Sequence, residues 1–438
     1  MRLRLLHTLS LLTILLTITF KAWPGGAVPF SADYVLGFVF VTPLLGTLAL
    51  WALSGFVGVR QLSADRWSAA WAAYLLMFVG WAWLSQSWAF MGGRRDAIAQ
   101  NAVLTYALAA AFSLLILCVP PPRRALARTL LLALTVSAVA AVGQAALQRD
   151  LGWQLIGELA NLDPQRAGVS VVQSGGVRLL RAYGLLPHPN ILGGVLAAGA
   201  VWLLAHSADA VGRWLRISVL GATFLALCLT FSRGAWAALA VSGGVCALWL
   251  ATHQHRRHLL LPLGLLCAIG VAFALAYAPF ITARTTLSAE ALEQRSIAER
   301  ALYQQIAVEA IQSAPLQGIG AGSFAWYAAH YLARYPEYGL RGTNVHQAAL
   351  LILSELGAVG FVLFGGIVTL PLMRGWQLMR RHPRDFQRLA ALTGALALAL
   401  TGLVDHYIAA IPQVLTLWWA LLALAVQPDA GGQASAGA

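Results

Sequence analysis

Charged residues are scarce in this chain: they make up 10% of 438 residues, against about 25% in soluble proteins. The residues AVILMFWYC account for 59% of the sequence, and a soluble fold cannot cover its surface with so few charges. The apolar residues form blocks of roughly 20, the length that crosses a bilayer as a helix. These features exclude a soluble enzyme and a disordered chain, and they predict a polytopic helical membrane protein.

Motifs for several kinds of chemistry are missing as well. The sequence has no Walker motif, no His-Glu-x-x-His, no Asp-x-Asp and no Cys-x-x-Cys among its four cysteines. We therefore predict no cofactor and no metal, and neither a nucleotide nor a nucleic acid as a partner. No internal repeat is visible, whereas many transporters contain one.

Twelve apolar blocks are long enough to be candidate spans, and their number predicts an all-α fold with about 12 transmembrane helices. The Lys and Arg residues of the short connections set the orientation. With the N-terminus in the cytoplasm, 16 basic residues lie on the inner side and 4 on the outer side. The blocks lie near residues 5–20, 34–57, 67–90, 99–119, 129–147, 189–206, 213–231, 234–251, 259–278, 345–371, 387–404 and 408–426.

This arrangement divides the chain into four parts. Residues 1–278 hold spans 1–9, with an outer loop near 148–188. Residues 279–344 form a large outer loop, residues 345–426 hold spans 10–12, and residues 427–438 form a disordered cytoplasmic tail. The two long loops carry nine arginines, which long loops can carry regardless of the orientation rule. An anionic ligand on that side is one explanation for so many guanidinium groups.

The second long loop offers candidate ligand-binding residues. Ser288 can cap a helix that runs to about Ser313. Arg295 and Arg300 project from its first half, and Leu302, Ile306 and Ala310 fall on one apolar stripe. The plain alternative is a solvated helix in which Arg295 pairs with Glu299 at i,i+4. The glycine-rich segment 315–324 follows, and its backbone could approach a phosphate closely or form a flexible turn at the membrane surface.

His346 stands at the outer start of the tenth span. An imidazole there can act as a general base because its ordinary pKa lies near neutrality, although an interfacial His that only forms hydrogen bonds is equally compatible. Glu355 is nine residues on, on the opposite side of the helix, so it is not a simple partner of His346. An acid inside a span is nevertheless a functional candidate.

Three further places on the outer side add candidates. Arg233 occupies the very short turn between spans 7 and 8, where it can be a snorkelling anchor or a diphosphate ligand. His188-Pro189-Asn190 opens span 6 and favours a structural role. Asp405-His406 in the last outer turn could orient a base or a sugar hydroxyl.

Taken in order, these motifs resemble the O-antigen ligase/polymerase superfamily over roughly residues 180–425. The resemblance rests on Ser232-Arg233-Gly234, Arg300, the Pro-Leu-x-Gly-x-Gly-x-Gly-x-Phe segment, and His346 leading into Glu355-Leu356-Gly357. The single large outer loop before the His is most similar to the O-antigen ligases.

The resemblance implies a glycosyltransferase of lipopolysaccharide biosynthesis in the bacterial inner membrane, with its active site facing the periplasm. It implies a glycan donor linked to undecaprenyl diphosphate, a lipid A-core acceptor and metal-independent, inverting transfer. His346 would be the base, Arg233, Arg300 and Arg295 would bind the diphosphate, and Asp405, His188, Asn190 and Glu355 are possible supporting residues.

Other functions remain open at this point. An O-antigen polymerase and a protein O-oligosaccharyltransferase use the same kind of donor with another acceptor. A transporter or flippase for lipid-linked glycans is the alternative of a different class, since many spans and outer cations also suit an exporter of anionic lipids.

Overall fold

The computed structural model of the chain describes residues 2–18, 38–90, 97–206, 212–285, 291–335 and 342–428. The predicted disordered tail, Lys21 and the cap at Ser288 lie outside these ranges, and the side chain of Arg295 is also not described. The described residues are predominantly helical, as predicted. The helices are α1 (Arg2–Leu16), α2 (Phe38–Leu53), α3 (Arg66–Leu84), α4 (Ala97–Cys118), α5 (Arg123–Leu147), α6 (Pro189–Ala205), α7 (Arg213–Leu229), α8 (Arg233–Thr252), α9 (Arg256–Ala276), α10 (Ala278–Thr285), α11 (Ala291–Ser313), α12 (Phe324–Leu332), α13 (Ala348–Arg381), α14 (Phe386–Thr401), α15 (Tyr407–Ala410) and α16 (Pro412–Val426).

Each predicted apolar block overlaps one of these helices. Six of the described helices are long and apolar enough to cross a membrane: α3, α4, α5, α8, α9 and α13. The apolar parts of α2, α6, α14 and α16 are shorter. These helices indicate a multi-pass membrane protein, while the number of twelve spans stays a prediction.

The centre of the bundle is formed by two of the shorter apolar helices. Every residue of α16 is buried, and so is nearly every residue of α6. Helix α6 packs against α14, α8 and α7, and α16 packs against α4, α14 and α13. By contrast, α9 exposes large apolar side chains such as Leu260 and Leu275, as expected for a helix that faces lipid tails. The largely apolar core thus lies among α4, α6, α14 and α16, and Arg388 of α14 is a buried charge at its edge.

A β-hairpin in the first long loop is the exception to the all-helical prediction. Strand β1 (Val171–Ser174) pairs antiparallel with β2 (Val177–Leu180), with Ser174 opposite Val177. The turn residues Gly175 and Gly176 both have positive φ, the backbone of a two-residue hairpin turn. The signal for this hairpin was present in the sequence as Gly-Gly between β-branched residues.

Helix α13 is broken at one residue rather than continuous. Gly357 has φ 66° and ψ −171° inside the run Ala348–Arg381, so two helical pieces meet there. The glycine-rich segment inserts at this break: the N–H groups of Ile319 and Gly320 donate to the carbonyls of Ser354 and Glu355. The N–H of Ala358 donates back to the Pro315 carbonyl at 2.9 Å. The inserted segment therefore satisfies backbone groups that the break would leave unpaired.

Candidate active site at one end of the bundle

A cavity of about 140 Å³ lies where the N-terminal ends of α6 and α8 meet the end of α14 and the side of α11. Its charged lining consists of two arginines and one aspartate. Two of the three arginines predicted to bind a diphosphate are thus brought to one place. The cavity is lined by Asn190, Ser232, Arg233, Gly234, Ala235, Arg300, Thr401, Val404, Asp405 and Tyr407.

Arg233 is the first residue of α8. Helix α7 ends at Leu229, and the short turn up to Ser232 contains Phe231 with φ 49°. The Ser232 side chain makes no capping bond to the helix. A cation at a helix N-terminus adds to the positive end of the helix dipole instead of balancing it. Both sources of positive potential border the cavity, which therefore suits an anion.

Arg300 reaches the cavity from α11. Tyr303 and Ala307 are buried, and they share its helix face because they follow it by three and seven residues. Helix α11 packs against α13, and of the predicted apolar stripe Ile306 and Ala310 are buried while Leu302 is half-buried. Packing of α11 thus directs Arg300 toward the bundle. This face of α11 is therefore buried, while the alternative pairing of Arg295 with Glu299 stays a prediction, because the Arg295 side chain is not described.

Asp405 links the cavity to His346. The Nδ1 atom of His346 lies 3.5 Å from Asp405 Oδ1, and Nδ1 of His406 lies 3.3 Å from the same oxygen. The other carboxylate oxygen accepts a 3.0 Å hydrogen bond from Nδ2 of Asn190. Burial by itself raises the pKa of a carboxyl group, yet the imidazoles of His346 and His406 hold the pKa of Asp405 well below its ordinary value. The carboxylate is therefore ionised beside the two rings.

His346 is more accessible from outside than the Asp405 carboxylate that it shares with His406. The His346 side chain is 34% exposed, whereas that of Asp405 is 8% exposed. The rings of His346 and His406 meet edge to face, with centroids 5.3 Å apart. His346 thus combines a buried acidic neighbour with access from outside, which is what a general base for a bulky substrate needs.

The comparisons with known proteins address the same part of the chain. Residues 218–365 match the family profile Wzy_C, described as O-antigen ligase. This segment belongs to the O-antigen ligase family. A search of curated proteins found no match to the chain. The resemblance noted in the sequence is thereby confirmed, and it indicates a membrane enzyme that handles O-antigen.

The O-antigen ligase segment contains Arg233, Arg300 and His346, while Asn190 and Asp405 lie outside it. The structure joins both groups around one cavity through contacts between residues far apart in the sequence. The geometry of the site thus depends on elements on both sides of the matched segment.

His188 has a structural position next to this site. Its Nδ1 accepts the N–H of Asn190 at 3.2 Å and thereby caps α6, and its Nε2 lies 3.0 Å from the Ser170 hydroxyl. Burial, together with the nearby Arg181 guanidinium, lowers the pKa of His188 to about 3. The ring is therefore neutral at physiological pH, in line with the structural role favoured by the sequence.

Glu355 lies apart from the cavity lining and contacts the glycine-rich segment. Its carboxylate accepts the N–H groups of Gly322 and Phe324 at 2.9 and 3.0 Å. The side chain is buried, so it holds the start of α12 against α13. The glycine-rich segment likewise packs on α13 and does not line the cavity.

One residue that the sequence reasoning did not single out is Arg181. It is 5% exposed, and its guanidinium donates to the Thr230 carbonyl and to Oδ1 of Asn190. A signal was available: Arg181 stands between Leu180 and Ala182 in an otherwise apolar stretch, and a buried Arg almost always has partners.

One group of described side chains could hold a metal. Ligand atoms of His346, Asp405 and His406 all lie within 4.8 Å of one another. Imidazole nitrogens and a carboxylate oxygen are donors that suit zinc and related ions. The same three residues serve equally well as a base beside a carboxylate, without an ion.

Proposed function

We propose that this protein is a glycosyltransferase of the O-antigen ligase type. It moves O-antigen polysaccharide from undecaprenyl diphosphate to the lipid A-core oligosaccharide. The observation that carries the proposal is the single cavity that holds Arg233, Arg300 and Asp405, with His346 in contact with Asp405. Cations and a carboxylate-supported imidazole are the two parts that a metal-independent transfer from a diphosphate requires.

The two arginines would bind the diphosphate of the donor. A guanidinium group binds phosphate oxygens through two parallel hydrogen bonds and keeps its charge at any physiological pH. When the bond between the anomeric carbon and the diphosphate breaks, the electron pair leaves with the diphosphate. Arg233 and Arg300 stabilise that growing charge, and one such donor contributes about 3–4 kcal/mol of barrier lowering.

His346 would activate the acceptor. Because Nδ1 of His346 faces Asp405, Nε2 is the atom that takes the proton from the acceptor hydroxyl. The hydroxyl oxygen forms the new bond to the anomeric carbon from the side opposite the diphosphate, so the configuration inverts. Asp405 stabilises the imidazolium that results.

In this proposal the protein lies in the bacterial inner membrane with its cavity on the periplasmic side. The excess of basic residues in the inner connections of the predicted topology, 16 against 4 in the outer ones, supports that orientation. Apolar faces of the helices beneath the cavity would hold the polyprenyl tail of the donor. The lipid A-core acceptor reaches the same rim from the outer leaflet of that membrane.

A reconstituted transfer assay tests the proposal against its alternatives. Purified protein in detergent, with no ion gradient, receives a glycan linked to undecaprenyl diphosphate and lipid A-core. We expect a new glycosidic bond to the core. Product that forms only on a second lipid-linked glycan indicates a polymerase, and product that forms only on protein indicates an O-oligosaccharyltransferase. Donor movement across vesicles without bond formation would establish the transporter instead.

A further inference from the structure

Arg181 occupies a buried position between the two halves of the proposed machinery. It follows directly after strand β2 and is 5% exposed. Its Nε donates to the Thr230 carbonyl at 2.7 Å, and one of its terminal nitrogens donates to Asn190 Oδ1 at 2.6 Å. The two hydrogen bonds point in different directions from the rigid, planar guanidinium. The Thr230 carbonyl and the Asn190 amide are therefore held in fixed positions relative to each other.

The first contact leads to the diphosphate-binding side. Thr230 caps the end of α7, and only Phe231 and Ser232 separate it from Arg233. Phe231 has φ 49°, a backbone conformation that a bulky residue adopts only when its surroundings impose it. The bond from Arg181 to Thr230 is one of the contacts that hold this turn. It therefore helps to set where α8 and Arg233 begin.

The second contact leads to the base. A side-chain amide has one accepting end and one donating end. Because Oδ1 of Asn190 accepts from Arg181, Nδ2 is turned toward Asp405, and it donates to Oδ2 at 3.0 Å. Without Arg181 the amide could rotate by half a turn and place its oxygen against the carboxylate. The Asp405 carboxylate would then move, and His346, 3.5 Å from its other oxygen, would move with it.

We propose that Arg181 is a positioning residue that aligns the base with the diphosphate-binding arginines. The inference rests on the proposed function, and it assigns a role to a residue outside the segment that matches the family. One guanidinium connects the turn before Arg233 with the chain Asn190, Asp405 and His346. The distance between the attacking hydroxyl and the donor diphosphate is thus set from a single buried group.

Arg181→Lys in the full-length protein is the sharpest test. The lysine keeps the charge, but its single nitrogen cannot reproduce the two diverging bonds. Misplacing reacting groups by about 1 Å costs on the order of 10²-fold in rate. We expect kcat to fall by about that factor, with KM for donor and acceptor changed less than roughly threefold, because Arg181 does not line the cavity. Arg178→Lys, in the adjoining strand β2, is the matched control, and its kcat should equal that of the wild type.

A double-mutant cycle with Asn190→Ala separates positioning from general destabilisation. If Arg181 acts through Asn190, Arg181→Lys should lower kcat much less in the Asn190→Ala background than in the wild type. Thermal unfolding and gel filtration show whether each variant folds. Should Arg181→Lys not fold, Asn190→Ala alone tests the same chain from its other end, with a loss of kcat expected.

The outcomes distinguish the inference from the proposed function. Wild-type protein that transfers no glycan to any acceptor overturns the proposed function. Wild-type protein that transfers glycan while folded Arg181→Lys keeps full kcat overturns the positioning role. The positioning role is also overturned if Arg181→Lys lowers kcat by the same factor in the wild type and in the Asn190→Ala background, because the effects of independent residues add. For an unfolded lysine variant, full kcat of Asn190→Ala is the refuting result.

Discussion

Replacing Gly318 with alanine should destabilise the whole bundle, because this residue lies where the glycine-rich segment meets the break in α13. Gly318 has φ +72°, and a Cβ atom there would collide with the backbone of Glu355 and Gly357. An alanine in the left-handed region costs about 1–2 kcal/mol. Backbone atoms cannot rotate aside as a side chain can, so the segment must shift.

The shift would weaken two hydrogen bonds across the break. They are Ile319 N–H to the Ser354 carbonyl at 2.9 Å and Gly320 N–H to the Glu355 carbonyl at 2.8 Å. Each is worth about 1 kcal/mol, so the total loss is about 3–4 kcal/mol. Thermal unfolding in detergent, followed by tryptophan fluorescence, is a direct readout because Trp81 and Trp88 donate to Leu356 and Gly318.

Gly365→Ala is the matched control for this experiment. Gly365 lies in α13, beyond the break at Gly357, and a Cβ atom there meets nothing within 4 Å. Its replacement should leave the unfolding temperature unchanged or raise it, because alanine favours a helix by up to about 1 kcal/mol over glycine. Gly318→Ala should unfold several degrees below this control. Equal unfolding temperatures of the two variants would refute the account of the break.

Three further outcomes follow from the site. Arg300→Lys should reduce the rate of glycan transfer by about 10²–10³-fold. Arg334 is exposed and lies outside the cavity, so Arg334→Lys should transfer at the wild-type rate. Equal transfer rates of the two variants in a reconstituted assay would contradict two-pronged phosphate binding. In the folded protein, His188 stays neutral down to about pH 3, whereas in the unfolded chain it takes up a proton below about pH 6.5. His188 therefore lowers the free energy of unfolding as the pH drops from about 6.5 to 3. His188→Asn keeps a capping side chain but removes this proton uptake. Between about pH 7.5 and 5.5, its free energy of unfolding, measured by thermal unfolding, should fall by about 1 kcal/mol less than that of the wild type. Equal losses in the two proteins would show that His188 is not buried as a neutral ring. Transfer should persist in excess EDTA, and a loss that zinc restores would place an ion at His346, Asp405 and His406.

The helices could be predicted from the sequence because each depends on its own composition. Blocks of about 20 apolar residues predicted the segments that form the bundle, and the stripe through Ile306 and Ala310 predicted the buried face of α11. Proximity of Arg233 and Arg300 was also anticipated, because both were expected at one end of the helices. Each of these predictions depends on the composition of one segment or on which side of the membrane a segment end lies, and both can be inferred from the sequence.

The break in α13 could not be predicted in the same way. Locally, Ser354-Glu355-Leu356-Gly357 continues an apolar helical run, and a lone glycine in a helix is tolerated. The break is stable only because residues 315–320 supply partners for its backbone, a pairing between distant segments. The contact of Asn190 with Asp405 joins residues 215 positions apart and is equally invisible in one sequence. A charge in an apolar stretch marks Arg181 in the sequence, but its contacts with Thr230 and Asn190 are not visible there.

The most direct test of the proposed chemistry is the transfer rate of His346→Ala in the reconstituted assay, with protein amounts matched. His330→Ala is the control, since His330 is an exposed histidine outside the cavity lining. Loss of general-base catalysis should lower the rate of glycan transfer to lipid A-core by about 10²–10⁴-fold, while the control transfers normally. A folded His346→Ala protein with a near-normal rate would contradict the assignment of His346 as the base.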